Sequence, residues 1–253
     1  MNLDGGSALL RGLRLLERIA QSDHALSLAE LAQAVDLPKP TVHRMLRQLS
    51  AHGFIAQAPG DRRYRVSRRL SRLALATMQR GAVHADRHAI LERLVAEVGE
   101  TCNLTMLDGT EVVYVDRVES HWPLQMTLQA GSRVPIHCTA SGKLLFALLP
   151  ARTRQRLLRT LKLQRHTPGT LTDPVALDAE LTRIREARVG TDNQEFLEGL
   201  VATAVPVLDS QGQVIAALAM HGPVGRLSLA RALSLVPQLR AAATAMGEAL
   251  APA

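Results

Sequence analysis

The chain has 253 residues, of which 47% are hydrophobic and 21% are charged, enough for one large domain or two modest ones. It contains no run of 18 or more apolar residues and begins with no secretory signal pattern, so no membrane contact is expected. Two cysteines are too few for a disulfide framework, and a reducing cytoplasm is the expected location. Aromatic residues make up 2% of the chain, which disfavours the base-stacking surfaces that bind single-stranded nucleic acids.

The positive charge is confined to the first third of the chain. Residues 1–80 contain 13 Lys and Arg against six Asp and Glu, whereas residues 81–253 contain 17 of each kind. The whole formal net charge of +7 therefore lies in the first part. This asymmetry suggests a basic module that meets a polyanion, joined to a neutral module with another role.

The basic part predicts three helices and a hairpin. Apolar residues recur at helical spacing over residues 7–21 and again after Ser27, which has Glu30 at the spacing of a capping box. After a break at "DLP", the stretch "KPTVHRMLRQLSAHG" predicts a third helix, with Pro40 in its first turn and Gly53 at its stop. The runs "FIAQ" and "RYRV" around "APGDRR" predict two short strands. This order of elements predicts a winged helix-turn-helix.

The third helix carries basic and polar side chains beside its apolar stripe. A helix about four turns long fits the major groove of double-stranded DNA, where side chains near its N-terminal end reach base edges and phosphates. A solvated surface would account for one charged helix face, but not for an equally basic neighbouring turn. The expected DNA contacts are Lys39, Pro40, Thr41, His43, Arg44 and Arg47 on the helix, and Arg62, Arg63 and Arg65 in the hairpin.

About thirty residues without proline follow Ser67 and predict a linking helix, with a hinge or break at Gly81. Helices in this position often join two chains, although the apolar residues would also pack on the larger domain of the same chain. The expected organisation is a DNA-binding domain at 1–67, a linker helix at 68–84 and a second domain at 85–253.

The second domain combines hairpins and helices. "TCNLTMLDGTEVVYVDRVES" and "GLVATAVPVLDSQGQVIAALAMHG" predict two hairpins, and "LQMTLQ" predicts a further short strand. "TASGKLLFALL", "PARTRQRLLRTL", "DPVALDAELTRIREA" and the closing "SLARALSLVPQLRAAATAMGEAL" predict helices. Hairpins interleaved with helices favour an α+β fold with an antiparallel sheet.

Five segments in order resemble the IclR-type bacterial transcriptional regulators over nearly the whole chain. The resemblance implies a winged-helix head and a GAF-like effector domain, assembled as a homodimer or homotetramer on palindromic operator DNA near the nucleoid. It also implies a small organic acid that tunes repression or activation of a catabolic operon. The segments are "LAELAQAVDLPKPTVHRMLRQLSAHGFI", "ETCNLTMLDGTEVVYVDRVES", "IHCTASGKLLFA", "VGTDNQEFLEGLVATAVPV" and "AMHGPVGRLS".

The resemblance also implies where the effector binds. Small residues and N–H groups at the start of the "SGK" helix would seat a carboxylate, and Thr139 and Ser141 would add hydroxyl groups. Asp192 would accept from a ligand hydroxyl or hold its loop, whereas Glu195 and Phe196 are expected to order that loop. The positions that match the family's effector site are Ala140, Ser141, Asp192, Ala202, Ala219 and His221, with Thr139 beside them.

Three of these positions depart from the family pattern. Relatives that bind small keto acids have a cysteine at the position of Ala202 and serines at those of Ala219 and His221. The loss of these polar groups disfavours a two- or three-carbon acid. His221, together with Trp122, would suit a larger or aromatic acid. An interior histidine bonded to the main chain explains His221 equally well, however, and a loop or packing role explains Trp122 better.

Other chemical readings are weaker. Lys143 in "TASGK" lacks the earlier glycine and the trailing Ser or Thr of a phosphate-binding loop. His137 and Cys138 are adjacent in a segment expected to be extended, so their side chains should point apart and form no catalytic pair. The remaining histidines show no metal-ligand spacing. We therefore expect no catalytic residue, no metal and no cofactor apart from the effector.

Two alternatives to a ligand-responsive regulator remain open at this stage. An enzyme of small acids tethered to nucleic acid would need a nucleophile and base, for which the spacing offers no support. An architectural DNA-binding protein without ligand response would have a second domain with no cavity that can bind a ligand.

Overall fold

A computed structural model describes residues 7–22, 24–57, 61–78, 82–122 and 129–250. The chain divides into two compact units, Met1–Thr77 and Met78–Ala253. Among the helices of the described residues, none combines the length and apolar character that a bilayer crossing requires.

The first unit contains the predicted helices and hairpin. The capping box is confirmed, because the Ser27 hydroxyl accepts from the Glu30 N–H and the Glu30 carboxylate accepts from the Ser27 N–H. Gly53 follows the third helix with a φ of 69°, a left-handed conformation that suits glycine. The elements are α1 (Ala8–Ala20), α2 (Leu28–Ala34), α3 (Lys39–Ala51), β1 (Ile55–Gln57), β2 (Tyr64–Val66) and α4 (Arg68–Met78).

One apolar core holds α1, α2, α3 and the β1–β2 hairpin together. Leu15 and Ile19 of α1, Leu31 of α2, Leu46 of α3 and Tyr64 of β2 are all buried in it. The apolar stripe of α3 is therefore used for packing, which leaves the opposite side of this helix to solvent.

The second unit begins with α5 (Ala82–Val98). The predicted linker helix is thus two helices, α4 and α5, and the expected break at Gly81 falls in 79–81, outside the described residues. The predicted strand "LQMTLQ" likewise falls largely in 123–128, outside them. The remaining elements are β3 (Thr101–Asp108), β4 (Glu111–Val118), β5 (Arg133–Pro135), α6 (Ala140–Leu148), α7 (Ala151–Thr160), α8 (Pro174–Ala187), β6 (Gly190–Asn193), β7 (Leu200–Leu208), β8 (Val214–Pro223), α9 (Leu229–Ser234) and α10 (Val236–Ala249).

Among the described residues, six strands form an antiparallel sheet in the order β5-β4-β3-β8-β7-β6, so the predicted α+β class is confirmed. Helices α6 and α8 pack together, with α6 against β6, β7 and β8, whereas α5 and α10 pack together against β3, β4, β7 and β8. A bulge at Val115 shifts the β3–β4 register between Leu104 and Thr105. Because a bulge changes which side chains face each side of a sheet, Tyr114 and Arg117 can share one face.

Helix α6 approaches β6 very closely at Gly190. A Cβ atom at this position would lie 2.2 Å from the Ala140 carbonyl oxygen and 2.9 Å from Leu144 Cβ. Only glycine therefore allows the N-terminal turn of α6 to rest against β6.

We expect Gly190→Ala to lower the free energy of unfolding by about 1–3 kcal/mol, the usual cost of overpacking a core. Thermal denaturation followed by circular dichroism would show a lower Tm than in the wild type. Gly225→Ala is the matched control, because a Cβ there meets no atom within 4 Å. Equal melting temperatures for the two variants would contradict the close approach.

Candidate functional site

The residues expected to contact DNA on α3 lie on its solvent side. Val42, Met45 and Leu46 are buried, and the polar positions between them face outward. Thr41 is half-buried at the start of the helix. The exposed members of the predicted set are Lys39, Pro40, His43, Arg44 and Arg47.

The hairpin arginines fall into two groups. Arg62 and Arg65 are exposed. The Arg63 guanidinium instead donates to the Ala25 carbonyl at 3.1 Å and pairs with the Glu30 carboxylate at 3.2 Å. Arg63 therefore attaches the hairpin to the start of α2, and its contact with DNA stays a prediction.

In the second unit, one cavity brings together all seven residues matched to the effector site. It lies between the N-terminal end of α6 and the face of the sheet that this helix covers. The predicted residues on its wall are Thr139, Ala140, Ser141, Asp192, Ala202, Ala219 and His221, and the others are Asn103, Thr105, Val112, Tyr114, Val134, Phe196 and Leu200.

Two polar atoms on this wall have no hydrogen-bond partner among the described residues. The Asn103 side-chain amide nitrogen lies 3.2 Å from His221 Nδ1, whereas His221 Nε2 and Asn103 Oδ1 are both buried without a partner. Burial, followed by the nearby Arg117 charge, lowers the pKa of His221 to about 3, so the ring is neutral at pH 7. With Nδ1 accepting from Asn103, Nε2 carries the proton, and the wall offers a buried donor beside a buried acceptor.

The N-terminal end of α6 supplies further donors. Thr139 is the N-cap: its hydroxyl donates to the Pro135 carbonyl at 2.8 Å and accepts from the Gly142 N–H at 3.2 Å. The Thr139 hydroxyl proton is therefore already engaged by the protein. Ser141 lies in the first turn, where main-chain N–H groups have no partner within the helix and favour an anion.

Asp192 holds the loop that follows β6. Its Oδ1 accepts from the main-chain N–H groups of Glu195 at 2.7 Å and of Phe196 at 3.3 Å. Burial raises the pKa of Asp192 to about 7, a rise that the two N–H donors oppose and the Glu195 carboxylate assists. Near neutral pH this carboxyl group therefore exists in both charge states.

A buried lysine attaches the same loop to α6. Lys143 Nζ lies 2.5 Å from Glu195 Oε1 and 3.3 Å from Glu180 Oε1, and the lysine side chain is only 1% exposed. The lysine that resembles part of a phosphate-binding motif thus serves as an ion-pair partner. Glu195 orders its loop, as the sequence predicts.

The cavity has a volume of about 20 Å³, which is room for one water molecule. Phe196 lines it, although the sequence suggests only a loop-ordering role. The loop contains Gln194 with a φ of 63°, an uncommon conformation for a residue other than glycine. Trp122 is 51% exposed, lies against the Arg226 guanidinium at 4.8 Å and is not among the residues of the cavity wall.

Sequence reasoning missed several wall residues. Asn103 and Thr105 are buried polar residues in the middle of a strand, and this pattern in "TCNLTM" was the available signal. Tyr114 is harder to assign from the sequence. Successive residues of a strand normally point to opposite faces of the sheet, and the bulge at Val115 breaks this alternation.

The expectation that His137 and Cys138 point apart is wrong. Residues 136–139 form a bend before α6 and not an extended segment. As a result, His137, Cys138 and His166 bring one potential ligand atom each to within 4.8 Å of the others. Spacing in the sequence did not reveal this group, because His166 joins it from a distant loop.

Comparison with known proteins matches both units to one family. The description "Bacterial transcriptional regulator IclR C-terminal" matches residues 75–248, and "IclR helix-turn-helix domain" matches residues 8–59. The probable transcriptional regulator SauR of Cupriavidus necator is 48% identical over 97% of this chain and 98% of its own length.

Two solved structures of similar fold contain hydroxybenzoates. One is an IclR homologue from Microbacterium hydrocarbonoxydans complexed with 4-hydroxybenzoate, with a TM-score of 0.60 and 28% identity over 96% of this chain and 99% of that one. The other is a double mutant of the PobR inducer-binding domain from Acinetobacter with 3-hydroxybenzoic acid, with a TM-score of 0.59 and 30% identity over 63% of this chain and 94% of that one.

The helix-turn-helix match falls on the first unit and the C-terminal match covers nearly all of the second. They confirm the resemblance seen in the sequence, and they place the chain among regulators, not among enzymes. The chain belongs to the IclR family of bacterial transcriptional regulators.

Proposed function

We propose that this regulator binds palindromic operator DNA as a dimer or a dimer of dimers in the bacterial cytoplasm. A small organic acid bound in the effector cavity tunes the affinity for that operator and so represses or activates a catabolic operon. The observation that carries this proposal is the His221–Asn103 pair on the cavity wall, whose buried Nε2 and Oδ1 atoms have no hydrogen-bond partner among the described residues.

The wall chemistry favours an acid with an apolar body. His221 Nε2–H, the Ser141 hydroxyl and the N-terminal turn of α6 are donors suited to a carboxylate. Burial raises the pKa of Tyr114 to about 12, so its phenol also stays a donor at neutral pH. The rest of the wall is largely apolar, and Ala202 and Ala219 leave space that larger side chains would fill. An aromatic acid fits this combination, in keeping with the hydroxybenzoates bound to the two structural relatives.

Binding of such an acid requires the cavity to expand. A volume of about 20 Å³ cannot hold an aromatic ring, so the loop that carries Phe196 must move outward. A ligand that binds only the open cavity shifts the protein toward that state by its differential affinity. The proposal is that this shift favours one spacing of the paired DNA-binding heads.

The two other functions considered from the sequence fare less well. A family of regulators argues against an enzyme of small acids. A purely architectural protein would have a second domain without a ligand cavity, whereas this chain has a cavity at the positions matched to the family's effector site.

We expect Arg44→Ala and Arg47→Ala to weaken operator binding, because both side chains lie on the exposed face of α3. If the arginine contacts a base, its loss should reduce the preference for one base of the operator by about 1–3 kcal/mol. If it contacts a phosphate, its loss should weaken binding to all DNA sequences equally and reduce the salt dependence of the affinity. Fluorescence anisotropy with labelled operator at several salt concentrations distinguishes these cases. Arg156→Ala, an exposed arginine of α7, is the control. Unchanged affinity in both α3 variants would contradict the proposed interface.

We expect a panel of hydroxybenzoates and other aromatic acids to raise the melting temperature. A ligand at a hundredfold excess over its Kd adds about 2.7 kcal/mol to the free energy of unfolding. Each kcal/mol corresponds to a rise in Tm of roughly 2–4 °C for a domain of this size. His221→Ala should abolish the shift, whereas His121→Ala, an exposed histidine, should retain it. A shift produced only by pyruvate-sized acids, or retained in His221→Ala, would contradict the proposed ligand class.

Effector affinity should fall as the pH rises through 7. The pKa of Asp192 is raised to about 7, mainly by burial, and a bound carboxylate nearby favours its protonated form. Above that pH the affinity should decrease by up to about tenfold per pH unit. Asp192→Asn retains an oxygen for the two loop N–H groups and should give a flatter profile in isothermal titration calorimetry. Parallel profiles for the wild type and this variant would contradict the role of Asp192.

A further inference from the structure

A second cluster of polar side chains lies beside the effector cavity, and none of its members is on the cavity wall. His137 and Cys138 are 3% and 0% exposed, whereas His166 is exposed. One imidazole nitrogen of each histidine and the Cys138 Sγ all lie within 4.8 Å of one another. The bend at 136–139 makes this possible, because it turns two adjacent side chains toward the same loop.

The surrounding structure fixes His137 in the state that a metal requires. Its Nε2 lies 2.9 Å from the Gln164 carbonyl oxygen, which can only accept, so Nε2 carries the proton. Nδ1 then has the free lone pair. Such a hydrogen bond from the second ring nitrogen to a carbonyl is the usual support of a metal-binding histidine.

Cys138 is fully buried, and its Sγ is the sulfur atom of the group. On binding, the thiol would release its proton to solvent, and the sulfur would form a bond to the metal.

We propose that His137, Cys138 and His166 bind one divalent cation of the zinc class, with a water molecule in the fourth position. Two imidazoles and one thiolate are ligands of borderline softness, which suit Zn²⁺ and Co²⁺ in tetrahedral geometry and do not suit Mg²⁺ or Ca²⁺. The exposure of His166 gives a cation access from solvent.

The other group of possible ligands in the described residues is a poorer site. His84, His88 and Asp116 also bring ligand atoms within 4.8 Å of one another. However, the buried Arg87 guanidinium donates to Asp116 at 3.1 Å, and its Nη2 lies 3.0 Å from His84 Nδ1. A divalent cation there would lie against a fixed positive charge, so this group serves as the matched control.

The proposed metal site is connected to the loop between β6 and β7, residues 194–199, which we name the effector loop. The His166 ring lies between those of His137 and Phe196, with centroid distances of 5.9 and 5.6 Å. The hydroxyls of the next residue, Thr167, and of Thr170 donate to loop carbonyls at 2.6 Å. A cation that holds His166 would therefore also restrict the loop that must open for an effector. This link rests on the proposed function, whereas the metal site itself does not.

Cobalt binding to the full-length, chelator-treated protein tests the site. Titration with Co²⁺ should produce a thiolate-to-cobalt charge-transfer band and the visible bands of a tetrahedral site, and Zn²⁺ should displace both. His166→Ala should weaken cobalt binding by more than the roughly 10–100-fold that loss of an outer partner causes. Cys138→Ser should remove the charge-transfer band, and the double variant His84→Ala/His88→Ala should retain it.

Three results would overturn the proposal: no charge-transfer band in the wild type, a band that survives in both His166→Ala and Cys138→Ser, or a band lost only in the His84→Ala/His88→Ala variant. Because His166 is exposed, its variant remains informative even if Cys138→Ser fails to fold. The readout requires neither operator nor effector, so its failure is distinguishable from failure of the proposed function.

Discussion

The effector domain depends on one buried ammonium group. Lys143 of α6 is enclosed by the protein and held by Glu195 of the effector loop and Glu180 of α8. Removing one partner from a buried ion pair typically costs 3–5 kcal/mol, because the remaining charge stays unpaired away from water. The three elements are therefore fixed together, and both the N-terminal turn of α6 and Asp192 lie on the cavity wall.

Two local features of the sheet, a bulge in β4 and a glycine in β6, shape the cavity. The bulge at Val115 lets Tyr114 line the cavity while the next aspartate, Asp116, reaches the α5 residues. Gly190 lets α6 rest directly on β6. The cavity between these elements has room for one water, and His221 Nε2 and Asn103 Oδ1 on its wall have no hydrogen-bond partner among the described residues.

Local patterns predicted most of the fold. The capping box at Ser27, the α3 stripe and both hairpins of the second domain each depend on residues a few positions apart, and each is present. The resemblance to a family also placed seven wall residues around one cavity. The sequence did not reveal the contacts between distant segments. These include the attachment of Arg63 to Glu30, the two partners of Lys143 and the approach of His166 to Cys138.

We propose that an acid bound in this cavity changes the affinity of the protein for DNA. The most direct measurement is the affinity of the protein for an operator selected from random DNA, determined with and without a saturating aromatic acid. A coupling free energy of about 1–3 kcal/mol, or a roughly 5- to 150-fold change in affinity, is expected for the wild type. The change should vanish in His221→Ala. An acid that demonstrably binds the wild type yet leaves its operator affinity unchanged would contradict the account.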